Sequence, residues 1–190
     1  MFSISVSSLL TAAALAFATV STPALAQPGA MPPLREQPID EIAADLAYGF
    51  CPLFLAGQFS LTGPELAERG FGKTVSKQPH PRVGEMSLVE AKLPDGQVQF
   101  GGAAGKACTV IVNAPKSTRG AVLARLRSNM AFMGLDFKPA ASPGPSVPAL
   151  AGAKIETFRA PVEKQFLYLQ HIQMDDPAGM VVAQLFATDQ

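Results

Sequence analysis

The sequence predicts an α+β domain: an antiparallel sheet with helices packed on one face, in the order α-βββ-α-βββ. Three observations carry this expectation. Apolar residues recur at steps of three and four in two stretches, Ile39 to Leu53 and Val122 to Met133. Six short strand-like runs are set off by Pro, Gly and Asp turn residues. The stretch Gly105 to Val112 then organises the rest, because Thr109, Val110, Ile111 and Val112 are all β-branched and suit a buried strand.

Residues 1–26 read as a signal peptide rather than as part of the fold. Leu9 to Val20 is an apolar run of signal-core length, too short to span a bilayer. Ser21-Thr22-Pro23 breaks it, and Ala24-Leu25-Ala26 supplies small residues for cleavage between Ala26 and Gln27. Met1 to Leu10 holds no Lys or Arg, so the positive end rests on the terminal amine. The competing reading is a buried N-terminal helix. No cysteine follows the apolar run closely, which argues against a lipid anchor, and no later run has the length of a membrane span. The expected location is periplasmic or secreted, in a bacterial setting suggested by the richness in Ala, Gly and Pro.

Residues 27–38 hold four prolines and one glycine without periodicity, and read as a flexible leader. The domain is expected over 39–190. Ile39, Ile42, Leu46, Phe50 and Leu53 form the stripe of a first helix, with Asp40 and Glu41 at its positive end. Pro52 removes a helical donor, so the helix should end or kink with Cys51 at the corner. Thr62-Gly63-Pro64-Glu65 has capping-box spacing for a short helix to about Arg69, stopped by Gly70. A loop over Phe71 to Val83 follows, then strands at Met86–Leu93, Gln97–Phe100 and Ala107–Val112. Pro94-Asp95-Gly96 turns the first of these into the second.

Pro115 ends the third strand, and Ser117 or Thr118 is placed to cap a second helix. Val122, Leu126, Met130 and Met133 form its stripe, and Gly134 is its expected stop. The Pro/Ala-rich segment 138–152 reads as a loose connector. Strands at Ala153–Ala160, Lys164–Met174 and Met180–Thr188 complete the chain, with Asp175 to Gly179 as the last turn. Leu66-Ala67-Glu68-Arg69-Gly70-Phe71 echoes Met130-Ala131-Phe132-Met133-Gly134-Leu135, which raises a tandem duplication as an alternative description.

Composition excludes several kinds of partner. Fifteen basic and fifteen acidic residues cancel, a poor footprint for nucleic acid or an anionic membrane. Gly101-Gly102-Ala103-Ala104-Gly105-Lys106 imitates a phosphate loop but fails it. Phe100 stands where its first glycine is required, Ala107 replaces the hydroxyl, and the lysine leads into a strand rather than a helix. No Gly-x-Ser-x-Gly elbow is present. His80 lies between prolines, and His171 shares a strand face with Leu167 and Leu169 as a core or rim histidine. Neither has metal-ligand neighbours at motif spacing, so no metal and no cofactor is expected. Asp175-Asp176 reads as a solvated turn, and Arg119, Arg125 and Arg127 as a solvated helix face. Phe166 to Leu169 is apolar on both strand faces and suits either a core strand or a cavity wall.

The firmest expectation is a disulfide between Cys51 and Cys108, since an even pair of cysteines in an exported chain is usually bonded. Two functional classes remain. The first is a non-catalytic, inhibitor-like binding module that takes a protein or a small apolar ligand through its sheet or loops. Exported inhibitors built from repeated helix-plus-sheet units share this outline, an analogy that transfers no residue. The second is a small periplasmic hydrolase or isomerase with a site assembled only in the fold. A concave pocket where His171 or His80 meets a carboxylate and a hydroxyl would favour the enzyme.

Overall fold

A computed structural model of the chain describes residues 37–80, 82–143, 150–175 and 179–189. The expected signal peptide, its cleavage site at Ala26 and Gln27, and the leader up to residue 36 lie outside the described residues.

The fold is α+β. Eight antiparallel strands form one sheet in the order β1-β2-β3-β4-β8-β7-β6-β5. The strands are β1 (Ser76–His80), β2 (Gly84–Leu93), β3 (Gly96–Ala103) and β4 (Ala107–Asn113), then β5 (Lys138–Pro139), β6 (Lys154–Val162), β7 (Gln165–Met174) and β8 (Met180–Asp189). Each half is therefore a meander of four strands, and the two meet through their last strands, with Val110 of β4 opposite Ala183 of β8.

Two strands lie where the sequence suggested loops. β1 falls within Phe71 to Val83, and β5 at the start of the 138–152 connector. Proline deterred both assignments, yet both are edge strands with a single neighbour, where a missing N–H costs no ladder bond.

The helices also depart in detail. The first is α1 (Ile39–Asp45), a π-helical turn Leu46–Phe50, and α2 (Cys51–Leu55). The chain does not stop at Pro52. The Cys51 N–H reaches back to the Leu46 carbonyl, and this widened turn lets Pro52 sit in the first turn of a new helical segment. Thr62 does not cap α3 (Pro64–Glu68): Gly63 holds the cap position, and Thr62 instead pairs with Ser60. Likewise α4 (Lys116–Asn129) starts after Pro115 with no side-chain cap from Ser117 or Thr118. A 3-10 turn, Met130–Met133, continues it to Gly134, whose φ of 66° closes the helix in the left-handed region.

The main core joins Ile42, Leu46 and Phe54 with Val122 and Leu126 of α4 to alternate residues of the strands: Val98 and Phe100, Val110 and Val112, Val181 and Leu185. The disulfide Cys51–Cys108 lies inside it, with a Cα–Cα separation of 5.4 Å. Strand alternation sends Ala107, Tyr168 and Phe186 to the opposite side, where they form a second small cluster.

That second side is curved. His80 of β1 meets Gln184 of β8 at 3.2 Å, although four inter-strand steps separate their strands, about 19 Å across a flat sheet. Arg82, beyond β1, likewise reaches Ser142, beyond β5, from the opposite edge. Gly101 and Gly102 make one bend possible. Their φ values are 149° and 150°, and a Cβ at either would collide with the carbonyl oxygen of Ser87 or Ala107.

Candidate functional site

The two histidines occupy different worlds. His171 is 1% exposed and sits in the main core beneath the helices. Tyr48 Oη donates to the Leu126 carbonyl at 2.6 Å, which uses its only hydrogen. It therefore accepts from His171 Nε2–H at 2.9 Å, and this assigns the tautomer. The bare Nδ1 of His171 has no hydrogen-bond partner and faces Glu156 Oε2 at 3.9 Å. Glu156 is itself gripped by both nitrogens of the Arg127 fork.

The electrostatics follow from this geometry. Burial pulls the His171 pKa down to about 4, against the opposing pull of Glu156, so the ring is neutral at pH 7. Burial raises the Tyr48 hydroxyl above its ordinary value. The hydrogen bonds from Arg127 hold Glu156 below the usual carboxylate range. A histidine, a hydroxyl and a carboxylate are thus brought together, but the first two are sealed in the interior and only Glu156 reaches the surface. This is a core network.

His80 lies in a pocket. A cavity of about 470 Å³ opens on the second side of the sheet, lined by His80, Arg82, Lys106, Gln184, Phe186 and Thr188 among others. It is assembled from the ends of β1 and β8, the turn between β3 and β4, and the segment after β5. The Arg82 backbone N–H donates to His80 Nδ1 at 3.3 Å. The ring hydrogen is then on Nε2, so Gln184, whose amide can be turned either way, presents its oxygen there. Burial, helped by the Arg82 charge, lowers the His80 pKa and keeps the ring neutral. Thr188 supplies a hydroxyl, but among the described residues no carboxylate lines this cavity.

Phe186 gives this cavity an aromatic wall, and Tyr168 lies behind it. Tyr168 and Phe186 are cross-strand partners stacked at 5.6 Å between ring centroids. The Arg82 guanidinium lies over the Phe186 ring, 5.3 Å from its centroid, and donates to Ser142 Oγ at 3.4 Å. Both partners are neutral, so they position the charge without cancelling it. Lys106 makes no ion pair among the described residues.

The other candidates resolve into ordinary structural roles. Arg119 is buried and donates to the Ala114 carbonyl, while Arg125 pairs with Asp40 and Glu41. With Arg127 on Glu156, the three arginines of α4 form no free basic face. Asp175 pairs with Lys154, and Asp176 lies outside the described residues. Gly105 and Lys106 lie in the turn that leads into β4 rather than into a helix, so the glycine run is no phosphate loop of the nucleotide-binding type. Leu167 and Leu169 face the main core, whereas Phe166 and Tyr168 face the aromatic cluster. Among the described residues no group of three metal-ligating side chains converges, and no helix is long and apolar enough to cross a membrane.

Sequence reasoning missed Arg82, Lys106, Gln184, Phe186 and Thr188 as neighbours. They come from three separate stretches of chain, and only the curl of the sheet gathers them. Comparison of the chain with protein-family models, with curated proteins and with solved structures finds no match.

Proposed function

We propose that this protein is an exported, non-catalytic binding module whose working surface is the pocket on the second side of the sheet. The observation that carries the reading is the separation of the two histidines. Among the described residues the pocket holds His80 and a hydroxyl without a carboxylate, whereas His171 and the Tyr48 hydroxyl are sealed in the core and only Glu156 beside them reaches the surface. A general acid–base site needs all three in reach of a substrate. What the pocket does offer is a volume suited to a small ligand, the Phe186 ring and a few convergent polar groups.

The layered arrangement expected from the sequence, helices on one face only, belongs to the same reading: it leaves the opposite face to a ligand. Topology also supports a tandem origin. Each half is a helical segment followed by a four-strand meander, and Gly70 and Gly134 both take positive φ just before the first strand of their meander. Export rests on the N-terminal segment and is supported by the buried disulfide, which needs an oxidising compartment to form.

The test compares binding with turnover. The mature chain should bind 1-anilinonaphthalene-8-sulfonate saturably at one site, and Thr188→Trp, which fills the pocket, should abolish it. It should show no hydrolysis of p-nitrophenyl acetate or p-nitrophenyl phosphate above background. Turnover that disappears in His80→Ala would overturn the reading in favour of the enzyme.

A further inference from the structure

We infer that the pocket takes a small, multiply charged oxyanion, a polycarboxylate or a phosphate-bearing anion, through Arg82 and Lys106. This rests on the binding reading above and gives it a ligand class.

The argument begins with charge accounting across the molecule. The chain carries equal numbers of acidic and basic residues, and many cations away from the pocket face an anion. Lys77 pairs with Glu85, Arg125 with Asp40 and Glu41, Arg127 with Glu156, Lys138 with Asp136, and Lys154 with Asp175. Others, Lys73, Lys92, Lys116 and Lys164 among them, make no ion pair among the described residues, but none of these lines the pocket. Arg82 and Lys106 both line it, and among the described residues neither has a carboxylate partner and no carboxylate shares the lining. Glu85 and Lys106 both line an adjacent groove, where Glu85 pairs with Lys77 at 2.8 Å in an exposed bridge rather than with Lys106. Arg82 and Lys106 are both exposed, and two like charges lining one cavity raise a positive potential there, which an anion relieves.

Arg82 is also held in place without being neutralised. Its side chain rests on the Phe186 ring and on Ser142 Oγ, and its backbone N–H is tied to His80. A guanidinium fixed by neutral contacts keeps its remaining N–H donors for a ligand, and its planar fork matches a carboxylate or phosphate edge. Lys106 adds a point charge from the β3–β4 turn. The Thr188 hydroxyl is a third donor on the same wall. A singly charged ligand would satisfy one cation and leave the other, so the site selects at least two negative charges. The cavity, about 470 Å³, has room for a molecule of that kind.

Isothermal titration of the mature chain at pH 7 and constant ionic strength decides the matter, with citrate and pyrophosphate as probes and sucrose as the uncharged control. We expect one site per chain for citrate or for pyrophosphate, and the tighter of the two names the ligand class. Arg82→Gln and Lys106→Gln, read separately, should each weaken that binding at least tenfold while leaving the circular dichroism spectrum unchanged. Both side chains project from loops at the surface, and either variant alone suffices if the other misfolds. Anion binding that neither variant weakens would overturn the assignment, since the ion would then sit elsewhere. Binding of 1-anilinonaphthalene-8-sulfonate at this site without citrate or pyrophosphate binding would also overturn it, while sparing the binding module. Absence of all three would remove both.

Discussion

Tyr48 and His171, 123 residues apart in sequence, share a 2.9 Å hydrogen bond in the middle of the core. The bond ties the π-helical turn of the first helix to β7, and through the Leu126 carbonyl it ties both to α4. Tyr48→Phe keeps the ring but strands the His171 N–H, while the Leu126 carbonyl, inside α4, keeps its helical partner. Each buried polar group left without a partner costs on the order of 1–3 kcal/mol. Urea denaturation should therefore show a loss of about 1–3 kcal/mol, and a loss near zero would mean that the His171 N–H finds another partner.

Stability should fall on mild acidification. His171 has a folded pKa of about 4, below the roughly 6.5 of an unfolded histidine. Between those values the unfolded chain binds the proton and the folded chain does not, so stability rises with pH. It is fully present above about pH 6.5 and drains away towards pH 4, by roughly 1.4 kcal/mol per unit at the steepest. Glu156, held low by Arg127, works in the same direction at lower pH. Chemical denaturation at stepped pH should show this slope in the native chain and a flatter one in His171→Gln. An equal slope in both would refute the assignment.

The disulfide should carry much of the stability. It joins residues 57 apart, which in the chain-entropy view is worth about 4 kcal/mol. Cys51→Ala with Cys108→Ala also removes buried sulfur from the core, so the guanidinium midpoint should drop sharply. A double variant as stable as the parent would show that the bond only decorates an already stable core.

The bend in β3 gives a backbone prediction. Gly102→Ala puts a Cβ against the Ala107 carbonyl at a φ that side-chain-bearing residues rarely adopt. Strain of this kind costs about 1–3 kcal/mol before the steric clash is added. The variant should lose at least about 3 kcal/mol by calorimetry, whereas Gly120→Ala, which meets nothing within 4 Å, should be neutral or stabilising.

Export is read from processing. Material recovered from a periplasmic fraction should have a mass that begins at Gln27. A form that retains Phe2 to Ala26 would sink the signal-peptide assignment.

What the sequence determined by itself is local. Helical spacing of Ile39, Ile42 and Leu46, the β-branched run Thr109 to Val112, and the Pro-Asp-Gly turn each act over a few residues, and all are where the pattern puts them. The Cys51–Cys108 bond was legible too, because only two cysteines exist and one pairing is available. The edge strands β1 and β5 were hidden by prolines, whose cost depends on which side of the strand has a neighbour, and sequence does not state that. His80 and His171 looked equally unpartnered in the chain. Only the tertiary structure decided that one is sealed beneath Tyr48 and the other faces a pocket with Arg82 and Lys106. The physical reason is the curl of the sheet: it brings strands four places apart within hydrogen-bond distance, and that curvature depends on the summed twist of eight strands rather than on any one of them.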